Sequence, residues 1–137
     1  MEKKSLWLAL IVLLIIIFLT SCCCTPIIPD IFLATVGKID ILTLESFPVQ
    51  VFVIASGYLP NLCMNIYQIT QEREGNNFFI TISTYQAPCF YIETEVIAPF
   101  EETIPLEVYG LPAGTYTVEV NGVQGSFILE IDNILSL

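Results

Sequence analysis

The chain has 137 residues, is 55% hydrophobic and only 13% charged, and carries a formal charge of −10 with no histidine. That length suits one domain with a core of its own. A strongly acidic chain is repelled by phosphate backbones and anionic lipid, which argues against nucleic-acid binding. The lack of His removes the commonest general base and the commonest transition-metal ligand.

The first element is a leader. Lys3 and Lys4 precede an unbroken apolar run from Leu6 to Leu19, followed by Leu19-Thr20-Ser21-Cys22. A basic start, a short apolar middle and small residues before a cut are the pattern of a secretory signal peptide, here residues 1–21, and such segments are helical. Leu-Thr-Ser-Cys resembles the bacterial lipobox. The resemblance implies cleavage before Cys22, a diacylglycerol on its sulfur and acyl groups such as palmitate at the new amino terminus. The domain would then stand lipid-anchored on the cell membrane or outer membrane, facing the periplasm or the exterior. The other reading is an uncleaved membrane span. The run to Leu19 is shorter than the roughly 20 residues a span needs, but continuing through Cys24 nearly reaches that length. Of the 14 acids only Glu2 falls in the leader, and the only bases beyond it are Lys38 and Arg73.

Residues 22–30 form a short proline-marked tether, Thr25-Pro26-Ile27-Ile28-Pro29-Asp30 closing it, and residues 31–137 form the domain. From Ile31 onward Val, Ile, Thr, Phe and Tyr dominate, turn signals recur at short intervals, and no stretch has helical spacing. Strands are expected at about Thr35–Glu45, Val49–Ser56, Met64–Arg73, Asn77–Gln86, Phe90–Ile97, Thr103–Tyr109, Thr115–Val120 and Gly125–Ile131. Tyr116, Val118 and Val120 alternate with Thr115, Thr117 and Glu119. Phe127, Leu129 and Ile131 alternate with Ile128, Glu130 and Asp132. One buried and one wet face is what a sandwich sheet requires. Asn121-Gly122 between two strands is a strong hairpin signal, because both central residues must take positive φ.

Leu111-Pro112-Ala113-Gly114-Thr115-Tyr116 resembles the corner that leads into the F strand of immunoglobulin-like and fibronectin type III-like domains. The resemblance implies an all-β, immunoglobulin-like antiparallel β-sandwich of about 7–8 strands. It also implies a structural role for Tyr116, whose hydroxyl would bond upstream backbone in a tyrosine corner, with Leu106, Val108 and Leu111 packed beneath. Such a fold carries no function with it.

Cys63 and Cys89 lie inside the domain. Outside the cytoplasm two such residues most often pair, and the chain-entropy model gives that loop about 3.5 kcal/mol of stabilisation. Two free thiols or a metal pair are the alternatives. If they pair, the loop Gly57–Cys63 meets Ala87–Tyr91, and Tyr58, Leu59, Phe90 and Tyr91 form a candidate binding patch at one end of the sandwich. A small core over the bridge explains the same residues.

Glu72 with Glu74, Glu93 with Glu95, and Glu101 with Glu102 are paired carboxylates, but charge on strand faces also discourages edge pairing. No catalytic residue, metal site or cofactor is indicated, since activated nucleophiles, phosphate-cradling loops and calcium loops are all missing from the sequence. The function expected is a non-catalytic envelope or adhesion module that binds a protein or glycan partner. The alternatives are a loop-based protease inhibitor and a carboxylate hydrolase. Chagasin-like inhibitors carry Asn-Pro-Thr-Thr-Gly-Tyr, of which Ser56-Gly57-Tyr58-Leu59-Pro60 is a faint echo. The sequence leaves the oligomeric state open.

Overall fold

The computed structural model describes residues 7–8, 10–12, 29–89 and 96–135. Trp7, Leu8 and Leu10 to Val12 are helical, and among the described residues no helix is long and apolar enough to cross a membrane. Cys22, Cys23 and Cys24, the patch members Phe90 and Tyr91, and the pair Glu93 and Glu95 lie outside the described residues.

Eight strands form in chain order: β1 (Ile31–Leu33), β2 (Thr35–Leu44), β3 (Gln50–Leu59), β4 (Met64–Glu74), β5 (Asn77–Gln86), β6 (Ala98–Leu106), β7 (Gly114–Val120) and β8 (Val123–Leu129). They build two sheets, an all-β sandwich as expected. In the larger, β4, β5, β7 and β8 are successive neighbours and β1 also pairs with β5; in the smaller, β3 lies between β2 and β6. All pairings are antiparallel except β5 with β7, which is parallel. The cause is chain path. After β5 the chain crosses to the small sheet, runs back as β6, then crosses again at the opposite end. Two crossings return β7 in the direction of β5.

The registers define two ends. Ile31, Leu59, Met64, Gln86 and Ala98 mark the tether end; Leu44, Gln50, Glu74, Asn77 and Leu106 mark the far end. Strand β5 meets β7 over Asn77–Ile80 and β1 over Ser83–Tyr85, so β7 and β1 lie end to end along one edge of it. Asn121 fills the junction. Its Oδ1 accepts from Ile82 N (3.0 Å), and its Nδ2 donates to Ala34 O and Ile82 O, both at 2.8 Å. The Asn-Gly turn thus does more than reverse the chain. Asn121 takes φ 46° and Gly122 φ 92°, and the same Asn that tolerates that backbone supplies the amide that pairs the interrupted ladder.

Alternation drives the core. Val51, Val53 and Ala55 of β3 face Phe78, Ile80 and Ile82 of β5, with Val118 and Val120 of β7 and Leu129 of β8 alongside. Rings of Phe78, Tyr116 and Phe127 fill the middle, Tyr116 stacking on Phe127 at 5.4 Å between centroids. The Tyr116 hydroxyl donates to Pro112 O at 2.8 Å, where the chain passes from β6 to β7 and so from one sheet to the other. A buried phenol must find such a partner. Leu106, Val108 and Leu111 belong to the same core.

Three boundary expectations change. The gap expected between Ile97 and Thr103 is filled, because Ala98–Leu106 is the single strand β6 with Pro99 and Pro105 inside it, and Glu107 to Tyr109 fall outside it. An edge strand tolerates Pro where the missing N–H would face away from its neighbour. Of the strand expected at Phe90–Ile97, Val96 and Ile97 are not in a strand, and the rest lies outside the described residues. The last strand stops at Leu129, which leaves Ile131 exposed rather than inward. Strand β1 is an addition, too short to show a pattern of its own.

Cys63 and Cys89 form a disulfide with Cα atoms 5.7 Å apart. It ties the start of β4 to the segment after β5, and Ala87 N donates to Cys63 O at 2.8 Å beside it. Because the β4–β5 ladder already closes this loop, replacing both cysteines by Ser is expected to cost about 2–4 kcal/mol while keeping the fold. A single cooperative urea transition at a lower midpoint would verify this; an unfolded double variant would show that the ladder cannot form without the bond.

Candidate functional site

The two sheets close against each other on one side, where β2 lies over β8. Gly125 permits that approach. A Cβ there would sit 3.0 Å from Ile41 Cδ1 and 3.1 Å from Ile39 Cδ1. The opposite side is flanked by β4 and β6, which pair only with β5 and β3 among the described strands. Between these two edges lies a groove.

Its larger part, at the far end, has a volume of ≈ 710 Å³. Val51, Phe78, Leu106, Val108 and Leu111 form the buried floor, and Glu72, Arg73, Glu107 and Tyr109 stand on the rim. Tyr109 is 61% exposed. Arg73 is turned to its own hairpin, its Nη1 donating to Gly75 O at 2.7 Å. Gln71 spans the gap. In the amide orientation that satisfies both neighbours, it donates to Pro105 O and accepts from Glu107 N, each at 3.2 Å. A side-chain amide here behaves as a one-residue strand on the edge of β6. Beyond it the groove continues past Ile69 and Thr103 as a shallower cleft of ≈ 420 Å³.

The far wall is set by Asn133, which is fully buried. Its Oδ1 accepts from Val49 N at 2.7 Å, and its Nδ2 donates to Val49 O (2.9 Å) and Val108 O (3.0 Å). Its own backbone bonds Leu111 O and Gly110 N, both at 2.8 Å. One residue therefore clasps the segment before β3, the segment after β6 and the carboxy-terminal strand exit. Val49, Val108 and Leu111 are groove residues, so the clasp and the groove share walls.

The residues singled out from the sequence fall elsewhere. Tyr58 and Leu59 are neighbours in β3 and take opposite faces, Tyr58 being 45% exposed and Leu59 buried. Leu59 therefore belongs to the interior and cannot share a contact face with Tyr58. Ser56–Leu59, the stretch with the faint inhibitor-loop likeness, is strand, bonded to β2 on one side and β6 on the other. Glu101 and Glu102 alternate along β6, and Glu101 Oε2 accepts from Ser56 Oγ at 3.5 Å. Among the described residues no group of three or more His, Cys, Asp or Glu is placed to hold a metal ion. The groove, Gln71 and Asn133 had no local signal, because each depends on strands far apart in the chain.

Among the described residues the two-layer sandwich has one closed and one open side, and the chain is a β-sandwich domain protein. Residues 53–129 match the ORF11 beta-sandwich domain, and the chain belongs to that family. The match runs from inside β3 to the last residue of β8, so it contains both groove strands. Two similar proteins come from Herpetosiphon aurantiacus, an uncharacterized 10.2 kDa protein in the HgiBIM 5′ region and another in the HgiEIM 5′ region. Each is 36% identical over 78 residues, which is 57% of this chain and 93% of the relative. No solved structure matches the chain.

Proposed function

We propose that this protein is a non-catalytic lipoprotein that displays its sandwich outside the cytoplasm and holds a polypeptide segment in the groove between β4 and β6. The observation that carries the binding half is position. The groove lies at the end opposite Ile31, where the tether joins, so it stays accessible on an anchored protein. Its apolar floor suits side chains of an extended segment, and the edge of β4 suits main-chain hydrogen bonds. Glu72 and Glu107 on the rim favour a segment with a basic flank. The anchoring half rests on Leu19-Thr20-Ser21-Cys22 and on two acyl signals being what stable attachment needs.

The two halves are tested separately. Cys22→Ala is expected to leave the precursor uncut and without acyl label; a mature mass equal to that of the parent would overturn the anchor. A photo-crosslinker at Tyr109 on intact cells is expected to trap one defined polypeptide that the same group at Gln124 does not. Equal adducts from both positions, or none from Tyr109, would remove the groove as the binding site.

A further inference from the structure

We infer that the tether end of the sandwich is a lipid-contacting face, which seats the domain on the bilayer and turns the groove outward. This deepens the anchored-lipoprotein reading and rests on it. The first observation is charge. Within residues 29–33, 58–65, 85–89 and 96–99, which make up the described tether end, Asp30 is the one charged residue. Glu93 and Glu95 lie outside the described residues. At the far end stand Glu45, Glu72, Glu74, Glu107, Glu130 and Asp132. Anionic lipid surfaces repel such a cluster, so this asymmetry orients the domain with its acidic end away from the membrane.

The second observation is exposed apolar surface. Leu33 is 66% exposed, Leu62 63%, Ile97 62% and Ile31 50%. They come from β1, the β3–β4 turn and the approach to β6, three segments brought to one end by the fold. Around them stand tyrosines. Tyr58 is on the outer face of the small sheet, while Tyr67 and Tyr85 meet edge to face at 6.1 Å on the larger. Apolar tips with Tyr58 and Tyr85 on the two outer faces match the headgroup boundary, where one end of the ring stays dry and the other wet.

Chain length supplies the third. Cys22 to Asp30 is nine residues, which extend to roughly 30 Å at most, and they end at Ile31 on this face. An acylated Cys22 therefore holds this face, rather than the groove, within reach of the bilayer. Each apolar tip that enters the interface adds to the acyl anchor, so the face and the lipid act as two linked binding events.

Processed, acylated protein purified from membranes would be reconstituted in phosphatidylcholine vesicles. The chain's one Trp, Trp7, leaves with the leader, so each processed variant carries a single reporter at Leu33→Trp, Leu62→Trp or Ile131→Trp. With lipids brominated near the headgroup, Trp at positions 33 and 62 is expected to lose fluorescence and shift to the blue, while Trp at 131 stays unchanged. Adding Ile97→Glu to the Leu62→Trp variant is expected to restore its emission. Vesicle-bound, acylated protein with no quenching at 33 and 62, or equal quenching at 131, would overturn this inference and leave the anchor intact. Protein that carries no acyl mass and floats free of vesicles would overturn the anchor itself.

Discussion

Asn133→Ala is expected to lower unfolding stability by about 3–5 kcal/mol, since each buried backbone group left unpaired costs about 1–3 kcal/mol. The substitution strips partners from Val49 N, Val49 O and Val108 O at once. Water cannot replace the amide without room, and Asn133 is fully buried. Asn133→Asp sharpens the test. It keeps the oxygen that accepts from Val49 N but sets a carboxylate oxygen against two carbonyls. Its folded-state pKa is then raised, because the charged form is disfavoured. The deficit therefore appears above the ordinary Asp value of about 3.9 and shrinks as the pH falls below it. Urea titrations of both variants at pH 3 and pH 7 would measure this. An Asn133→Ala shift below about 1 kcal/mol, or an Asp variant equally weak at both pH values, would show that the clasp contributes little. Because Val49 and Val108 also wall the groove, a destabilised clasp is expected to loosen the groove before the rest of the sandwich unfolds.

The second large effect is at Gly57. A Cβ built there would lie 2.0 Å from Thr35 O and 2.8 Å from Phe100 Cε1. Phe100 pairs with Gly57 across β3 and β6, and Val36 pairs with it across β2 and β3. The carbonyl cannot retreat without peeling the start of β2 from its ladder. Gly57→Ala is expected to exceed the usual overpacking cost of about 1–3 kcal/mol. Gly37→Ala is the control. It sits at the bulge between Val36 and Lys38, where a Cβ would meet only Ser56 O at 3.9 Å, and a change within about 0.5 kcal/mol is expected. Equal midpoints for the two variants in urea would mean that β2 moves freely at its start.

Much of the architecture was legible in local pattern. Alternation in Thr115–Val120 predicted which of its residues are buried, and Tyr116 makes the upstream bond that the resemblance to immunoglobulin-like domains implied. Asn121-Gly122 does join β7 to β8. These features work because each is decided within a few residues, by a period of two or by backbone tolerance. Placing Cys63 with Cys89 also held, with the bond at a hairpin base. What failed to show was anything requiring a partner strand. Ala98–Glu102, with Pro99, read as a gap between strands because nothing in the chain marks β6 as an edge. Leu59 stood open between a binding patch and a small core over the bridge, because the strand that buries it could not be seen.

The amino-acid order by itself determined the basic-then-apolar start, the all-β character and the acidic charge, since each follows from composition or spacing over short stretches, and the resemblance of Leu111–Tyr116 to immunoglobulin-like domains added the tyrosine corner. The tertiary structure alone decided the parallel meeting of β5 and β7, the amide junctions at Asn121 and Asn133, and the open groove opposite the β2–β8 seam. Those depend on which strands become neighbours, and strand pairing is settled by packing across the whole sandwich, where bonds such as Val49 to Asn133 join residues 84 positions apart.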